Sequence, residues 1–264
     1  MIIDAHCHVW PDAIAEKVLA NRPADLDARY DGTVAGLLAT MDTAGIDKAM
    51  TLGIAHAART VARTNEFIGS LDRSRFIPFG TVHPDLPIDD NLRYLRDNGV
   101  RGVKLHPLFQ SLSLVDPAVL DILRALAEAG IVVITHVGAG GSPEENERAT
   151  PRDLRNVVDI IPDIVLIACH YGGYHRMAEA EEYVVGSDVI LETSWPPRLS
   201  DVDAGQLRAI IARHGTDRVV FGSDWPMTDP AQEIAAIRAL ELDPLDEAAL
   251  LGGNLARVLG MEAA

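Results

Sequence analysis

Short apolar runs alternate along this chain with stretches whose apolar residues recur at helical spacing. A run too short for a helix, followed by a segment of period 3.6, reads as a βα unit. Repetition of that unit reads as a parallel sheet with helices on its faces. The runs fall at 2–8, 48–54, 76–82, 100–105, 131–135, 164–168, 189–192 and 218–222. Helical patterns fall at 33–44, 61–71, 89–97, 117–129, 177–185, 202–213, 230–240 and 247–259, and one more opens at Thr150-Pro151. Gly45, Asn98-Gly99 and Gly130 stop three of them, and Thr150 before Pro151 is an N-cap with proline at the first helical position. A polar excursion separates the first run from the first helix. Eight strands, each followed by a helix, predict an α/β fold: a (β/α)8 barrel with an additional C-terminal helix, as a single domain over 1–264. No repeat or low-complexity segment interrupts it.

Bulk properties narrow the partners. With 264 residues and 48% hydrophobic content, one large core is affordable. The formal net charge of −16 repels nucleic acid and anionic membranes, so neither is expected as a partner. Two cysteines, Cys7 and Cys169, cannot make a disulfide framework and are expected reduced. The first strand begins at residue 2 with no leader pattern before it, and no apolar run reaches bilayer length. The expectation is a soluble, cytoplasmic protein acting on a small molecule.

The candidate chemistry begins at the end of the first run, Ile2-Ile3-Asp4-Ala5-His6-Cys7-His8. Strand side chains alternate faces, so His6 and His8 point the same way and can bind one metal ion. Other strand ends deliver similar groups: His83, Lys104 with His106, His136, His170 and Asp224. Six of the nine histidines thus sit where a barrel keeps its active site, while His56, His175 and His214 read as structural or surface residues. Alternation puts Asp4 inward with His6, Val132 and Ile134 beneath His136, Leu166 and Ala168 beneath His170, and Val220 and Gly222 beneath Asp224. Cys7 and Cys169 then point outward. Plainer readings stand beside these. Any of the histidines could be a buried, hydrogen-bonded side chain, and Asp224 could cap a helix ahead of Pro226. Trp10, Trp195 and Trp225 could wall a pocket or pack in the core. Arg198 could meet a substrate carboxylate or stay solvated. The Gly138-Ala-Gly-Gly141 loop lacks the spacing of a phosphate-binding loop.

The set His6-x-His8, His136, His170 and Asp224 resembles the amidohydrolase superfamily of metal-dependent hydrolases. Gly102-Val-Lys-Leu-His-Pro107, His170-Tyr-Gly-Gly173, Phe221-Gly-Ser-Asp-Trp-Pro226 and Gly253-Asn-Leu-Ala-Arg-Val-Leu-Gly260 resemble its branch related to aminocarboxymuconate-semialdehyde decarboxylase. That resemblance implies one divalent metal on His6, His8, His136 and Asp224. Such a donor set suits Zn2+, with Mn2+ or Fe2+ as alternatives. It implies a metal-bound hydroxide attacking an ester, lactone or amide, with Asp224 as base and His170 as acid or electrophile. The alternatives are a metal-dependent non-oxidative decarboxylase with the same ligands, and an inactive binding protein. In binuclear relatives a strand-four Lys bridges two metals; here Lys104 is expected with His106, Arg198 and Trp225 on the substrate side, with a second metal held through Lys104 or His106 as the alternative. A homodimer is expected by family analogy.

Overall fold

The computed structural model describes residues 1–20 and 27–261. Its eight strands are β1 (Ile3–Cys7), β2 (Lys48–Leu52), β3 (Phe76–Gly80), β4 (Gly102–Leu105), β5 (Val132–Thr135), β6 (Leu166–Ala168), β7 (Ile190–Glu192) and β8 (Val219–Val220). They run in sequential order in one sheet. The Ala5 N–H donates to the Phe221 carbonyl at 2.9 Å, joining β1 to the residue after β8. This is the strand order of the (β/α)8 barrel that the alternating runs predict. Contacts group the chain into two compact units. The first comprises Met1–Thr51, Arg73–Ile77 and Glu192–Ala264, and the second Leu52–Asp72 and Pro78–Leu191.

In the first unit, β1 is buried throughout and carries Ile3, Ala5 and Cys7 into the core. Helix α1 (Asp12–Ala20) fills part of the polar excursion, where no helix was expected; residues 21–26 lie outside the described ones. Only Ala15 of α1 is buried, so its apolar periodicity is weak. Helix α2 (Val34–Ala44) starts at the Thr33 side chain, which accepts the Gly36 N–H, and stops at Gly45, whose φ of 70° suits glycine. The helix expected at 247–259 is instead broken. α-Helical turns at Pro244–Ala248 and Asn254–Val258 flank a π-helical turn at Ala249–Gly253. Two contacts explain the break. The Leu250 carbonyl accepts the Phe221 N–H, and a side chain at Gly252 would lie 2.5 Å from the Met1 carbonyl oxygen. The widened turn lets backbone approach backbone there.

In the second unit, β4 pairs with β5 in register from Gly102–Val132 to Leu105–Thr135, and β5 with β6 from Val133–Leu166 to Thr135–Ala168. Its helices include α3 (Val61–Gly69), α4 (Ile88–Asp97), α5 (Pro107–Gln110), α6 (Pro117–Glu128), α7 (Pro151–Ile160) and α8 (Met177–Tyr183). Thr150 caps α7 in a full capping box with Asp153.

Beyond the strand ends, ladder partners run out, and buried carboxamides replace them. Asn65 accepts the Thr81 N–H at 2.8 Å and donates to the Thr81 carbonyl at 3.0 Å. Asn91 does the same for His83, at 3.0 Å each way. Gln110 accepts the His106 N–H and donates to the carbonyls of Ala55 and Val82. Each clamp satisfies backbone groups that would otherwise be buried without partners. Asn65→Ala orphans two buried groups at once. It is expected to lower the unfolding free energy by about 2–4 kcal/mol in a urea titration.

Candidate metal centre

Three buried donor atoms converge in the first unit. His6 Nε2 lies 3.2 Å from His8 Nε2 and 3.2 Å from Asp224 Oδ1, and His8 Nε2 lies 3.6 Å from the same oxygen. Ligand atoms each ~2.1 Å from a tetrahedral ion stand ~3.4 Å apart, so this triangle has the edge lengths of a divalent-metal face. Two imidazoles and a carboxylate are donors that several divalent metals accept. The residues therefore fit the ion that the motif implies.

Local structure holds each donor. His6 lies on β1 and His8 just past its end; their Nε2 atoms converge, and the His8 ring stacks on Trp10 with 6.0 Å between centroids. Asp4, on a strand whose register with β2 is irregular between Asp4 and Cys7, braces the turn after β8. It accepts the N–H of His6 and Ser223 at 3.0 and 2.9 Å, and the Ser223 hydroxyl at 2.6 Å. Burial pushes its pKa up to about 6, against those hydrogen bonds. Asp224 sits in the left-handed region at φ 63°, a cost of roughly 1–3 kcal/mol for a residue with a side chain. It is not a helix cap: Asp229 caps α10 (Pro230–Arg238) instead. Trp225 lies in the core, one of the two places the sequence allowed it. It is fully buried, its Nε1–H donates to Thr40 at 3.3 Å, and its ring stacks on Tyr30. Its N–H donates to the His6 carbonyl and its carbonyl accepts the His8 N–H, so it fixes the backbone on either side of the donors.

The second unit gathers His106, His136 and His170. His136 Nε2 is 2.8 Å from the Ala139 carbonyl oxygen, so it carries the proton and leaves Nδ1 as acceptor. That Nδ1 lies 3.2 Å from His170 Nε2, which donates to it. Burial, with the nearby Lys104 charge, pushes the His136 pKa down to about 3, keeping its imidazole neutral as a ligand must be. His106 stacks between Phe109 and His136, at 3.8 and 4.4 Å, and its Nδ1 accepts the Phe109 N–H at the start of α5. Lys104 is wholly buried, with Nζ 3.0 Å from Cys169 Sγ. Alternation predicts Cys169 outward, but β6 ends at Ala168 and the alternation ends with it. His170 and Tyr171 follow in the left-handed region at φ 60° and 53°.

Arg198 stands exposed at the surface and pairs with Asp201 at 3.2 Å, the solvated reading of that residue. The pattern also passes over Glu192, at the end of β7. Its carboxylate lies 3.0 Å from His6 Nδ1. A charged residue inside an apolar strand was the available signal.

The family model described as Amidohydrolase matches residues 3–261. The chain belongs to the amidohydrolase family. No curated protein matches the sequence significantly. Solved structures of similar fold include 5-carboxyvanillate decarboxylase from Sphingomonas paucimobilis, at 18% identity, 99% of each chain covered and a TM-score of 0.74. A putative 2-pyrone-4,6-dicarboxylic acid hydrolase from Pseudomonas putida gives 19% identity over 100% of this chain and 98% of that one, with a TM-score of 0.71. A dihydroxybenzoic acid decarboxylase from Polaromonas sp., solved with bound manganese, gives 15% identity over 100% and 98%, with a TM-score of 0.75. At these identities the likeness is one of fold. Membership makes the chain one of a metal-dependent enzyme family whose structural neighbours include hydrolases and decarboxylases. Among the described residues, no helix is long and apolar enough to cross a membrane.

One buried acid near these elements sets a pH response. Glu233 on α10 accepts the Leu199 N–H, and burial pushes its pKa from 4.5 up to about 8. The folded state then keeps a proton that the unfolded chain gives up between pH 4.5 and 8, so this group's contribution falls as pH rises through that window. Melting curves of Glu233→Gln should lose less stability than the wild type between pH 5 and pH 8.

Proposed function

We propose that the chain is a metal-dependent hydrolase of a small-molecule ester, lactone or amide, working as one catalytic domain over 1–264. The observation that carries this reading is the convergence of His6 Nε2, His8 Nε2 and Asp224 Oδ1, in a member of the amidohydrolase family. A bound divalent ion supplies Lewis acidity toward water and a carbonyl oxygen. The donor set favours zinc, with Mn2+ or Fe2+ as alternatives. The motif adds His136 as a fourth ligand through Nδ1, the nitrogen that the Ala139 contact leaves as acceptor.

The chain's own groups divide the remaining work. Asp224 accepts the proton of the attacking water. His170 Nε2, which would leave His136 once that Nδ1 held the ion, donates its proton to the carbonyl oxygen or the leaving group. His106 and Lys104 stand on the substrate side in this reading. Neither Cys7 nor Cys169 forms a disulfide, and reduced thiols suit the cytoplasmic location of this reading. A homodimer accords with the family analogy.

The second reading is a metal-dependent carboxy-lyase, favoured by the decarboxylases among the structural neighbours. Such an enzyme needs a cation for the departing carboxylate. Arg198 is occupied by Asp201 at the surface and Lys104 is buried against Cys169, which favours hydrolysis.

Metal analysis and a substrate panel separate these readings. Purified protein should hold about one zinc per chain, and His6→Ala should lose it. On lactones and esters, acid release should appear in a pH-stat, and His170→Asn should lower kcat by about 10²–10⁴-fold with metal content intact. Release of CO2 from carboxylated aromatics, without ester or lactone turnover, would transfer the assignment to the carboxy-lyase. Failure to bind metal under any reconstitution would sink both.

A further inference from the structure

Glu192 lies outside the donor triangle, yet it is the most constrained side chain beside it. It is wholly buried at the end of β7. Its Oε1 accepts the Ser194 N–H, and its Oε2 accepts the Ser194 hydroxyl at 2.9 Å. The same Oε2 is 3.0 Å from His6 Nδ1, and the Ser194 oxygen is 3.2 Å from that nitrogen. With the hydroxyl proton spent on Glu192, the Ser194 oxygen faces His6 as an acceptor. Both neighbours of His6 Nδ1 therefore accept, so Nδ1 must donate. A neutral imidazole protonated at Nδ1 presents a lone pair at Nε2, the atom aimed at His8 and Asp224.

The backbone opposite is cut to fit this carboxylate. A Cβ at Gly222 would lie 2.2 Å from Glu192 Oε1 and 2.7 Å from its carboxyl carbon. Any larger residue at 222 would push Glu192 off His6.

We propose that Glu192 is a positioning residue that locks His6 in its metal-binding tautomer and raises the basicity of His6 Nε2. Ser194 fixes the carboxylate, and Gly222 makes room for it. The proposal rests on the metal-site reading above. Its physical content is the carboxylate–histidine–metal relay, in which a negative partner on one ring nitrogen strengthens the ligand at the other. Losing such a partner typically weakens metal binding by about 10–100-fold.

The test measures zinc affinity by chelator competition on apo protein, beside apo melting curves and 15N NMR of the His6 ring. Wild type should show His6 protonated at Nδ1 before metal is added. Glu192→Gln presents an amide that can donate to Nδ1 and should bind zinc about 10–100-fold more weakly. Gly222→Ala keeps every polar group and displaces the carboxylate, so it should weaken zinc binding in the same direction. Wild-type zinc affinity in folded Glu192→Gln and Gly222→Ala would overturn the proposal. So would a His6 ring protonated at Nε2 in the apo wild type, a result that needs no variant to fold. Absence of zinc binding in the wild type would instead fail the metal-site reading, which keeps the two failures distinguishable.

Discussion

Burial of backbone polar groups just past the strand ends is the constraint on which the rest of this structure depends. A parallel barrel must leave its ladder there to turn into helices, and the freed N–H and C=O groups are still inside. This chain answers with single polar side chains that each hold several backbone groups. Asn65, Asn91 and Gln110 do so in the second unit and Asp4 in the first, where Glu192 holds the Ser194 N–H together with two side chains. The two carboxylates sit beside the candidate metal ligands, so one device both closes the fold and orients the chemistry.

Residues of the candidate site carry strain of a kind that packing must hold. Asp224 and His170 occupy left-handed backbone, and Trp225 ties the residues beside the donors to one another. A site assembled from rigid contacts needs little rearrangement to accept an ion, which favours affinity over adaptability. The cost appears as Asp4 and Glu233, buried acids whose pKa values are pushed up to about 6 and about 8.

Much of this was legible in the sequence, for identifiable reasons. Alternation along β1 places His6 and His8 together from two residues of spacing alone, and the βα rhythm requires nothing but periodicity. Asp224 could be picked out because it ends an apolar run. What failed was anything that depends on where a strand stops. Cys169 was expected outward by a parity that ends at Ala168. Trp225 was open between a pocket wall and the core, and periodicity had no means to choose; the structure buries it. Glu192 and the carboxamide clamps have no periodic signature, since Glu192 answers to Ser194 and the distant His6 ring, and the carboxamides answer to backbone groups outside their own elements' ladders. The C-terminal helical pattern was read correctly as helical, but its π turn answers to Met1 and Phe221, which no local window contains.

The discontinuity of the first unit has a consequence for biosynthesis. The strands β4, β5 and β6 emerge from a ribosome in close succession and can pair as they appear. His6 and His8 are made before these strands, Glu192 and Asp224 after them, and the turn carrying Gly252 later still. The nascent histidines must wait while the intervening strands are made before their carboxylate partners exist. The candidate metal centre is therefore assembled across a long interval of elongation, from segments that flank the strands made between them.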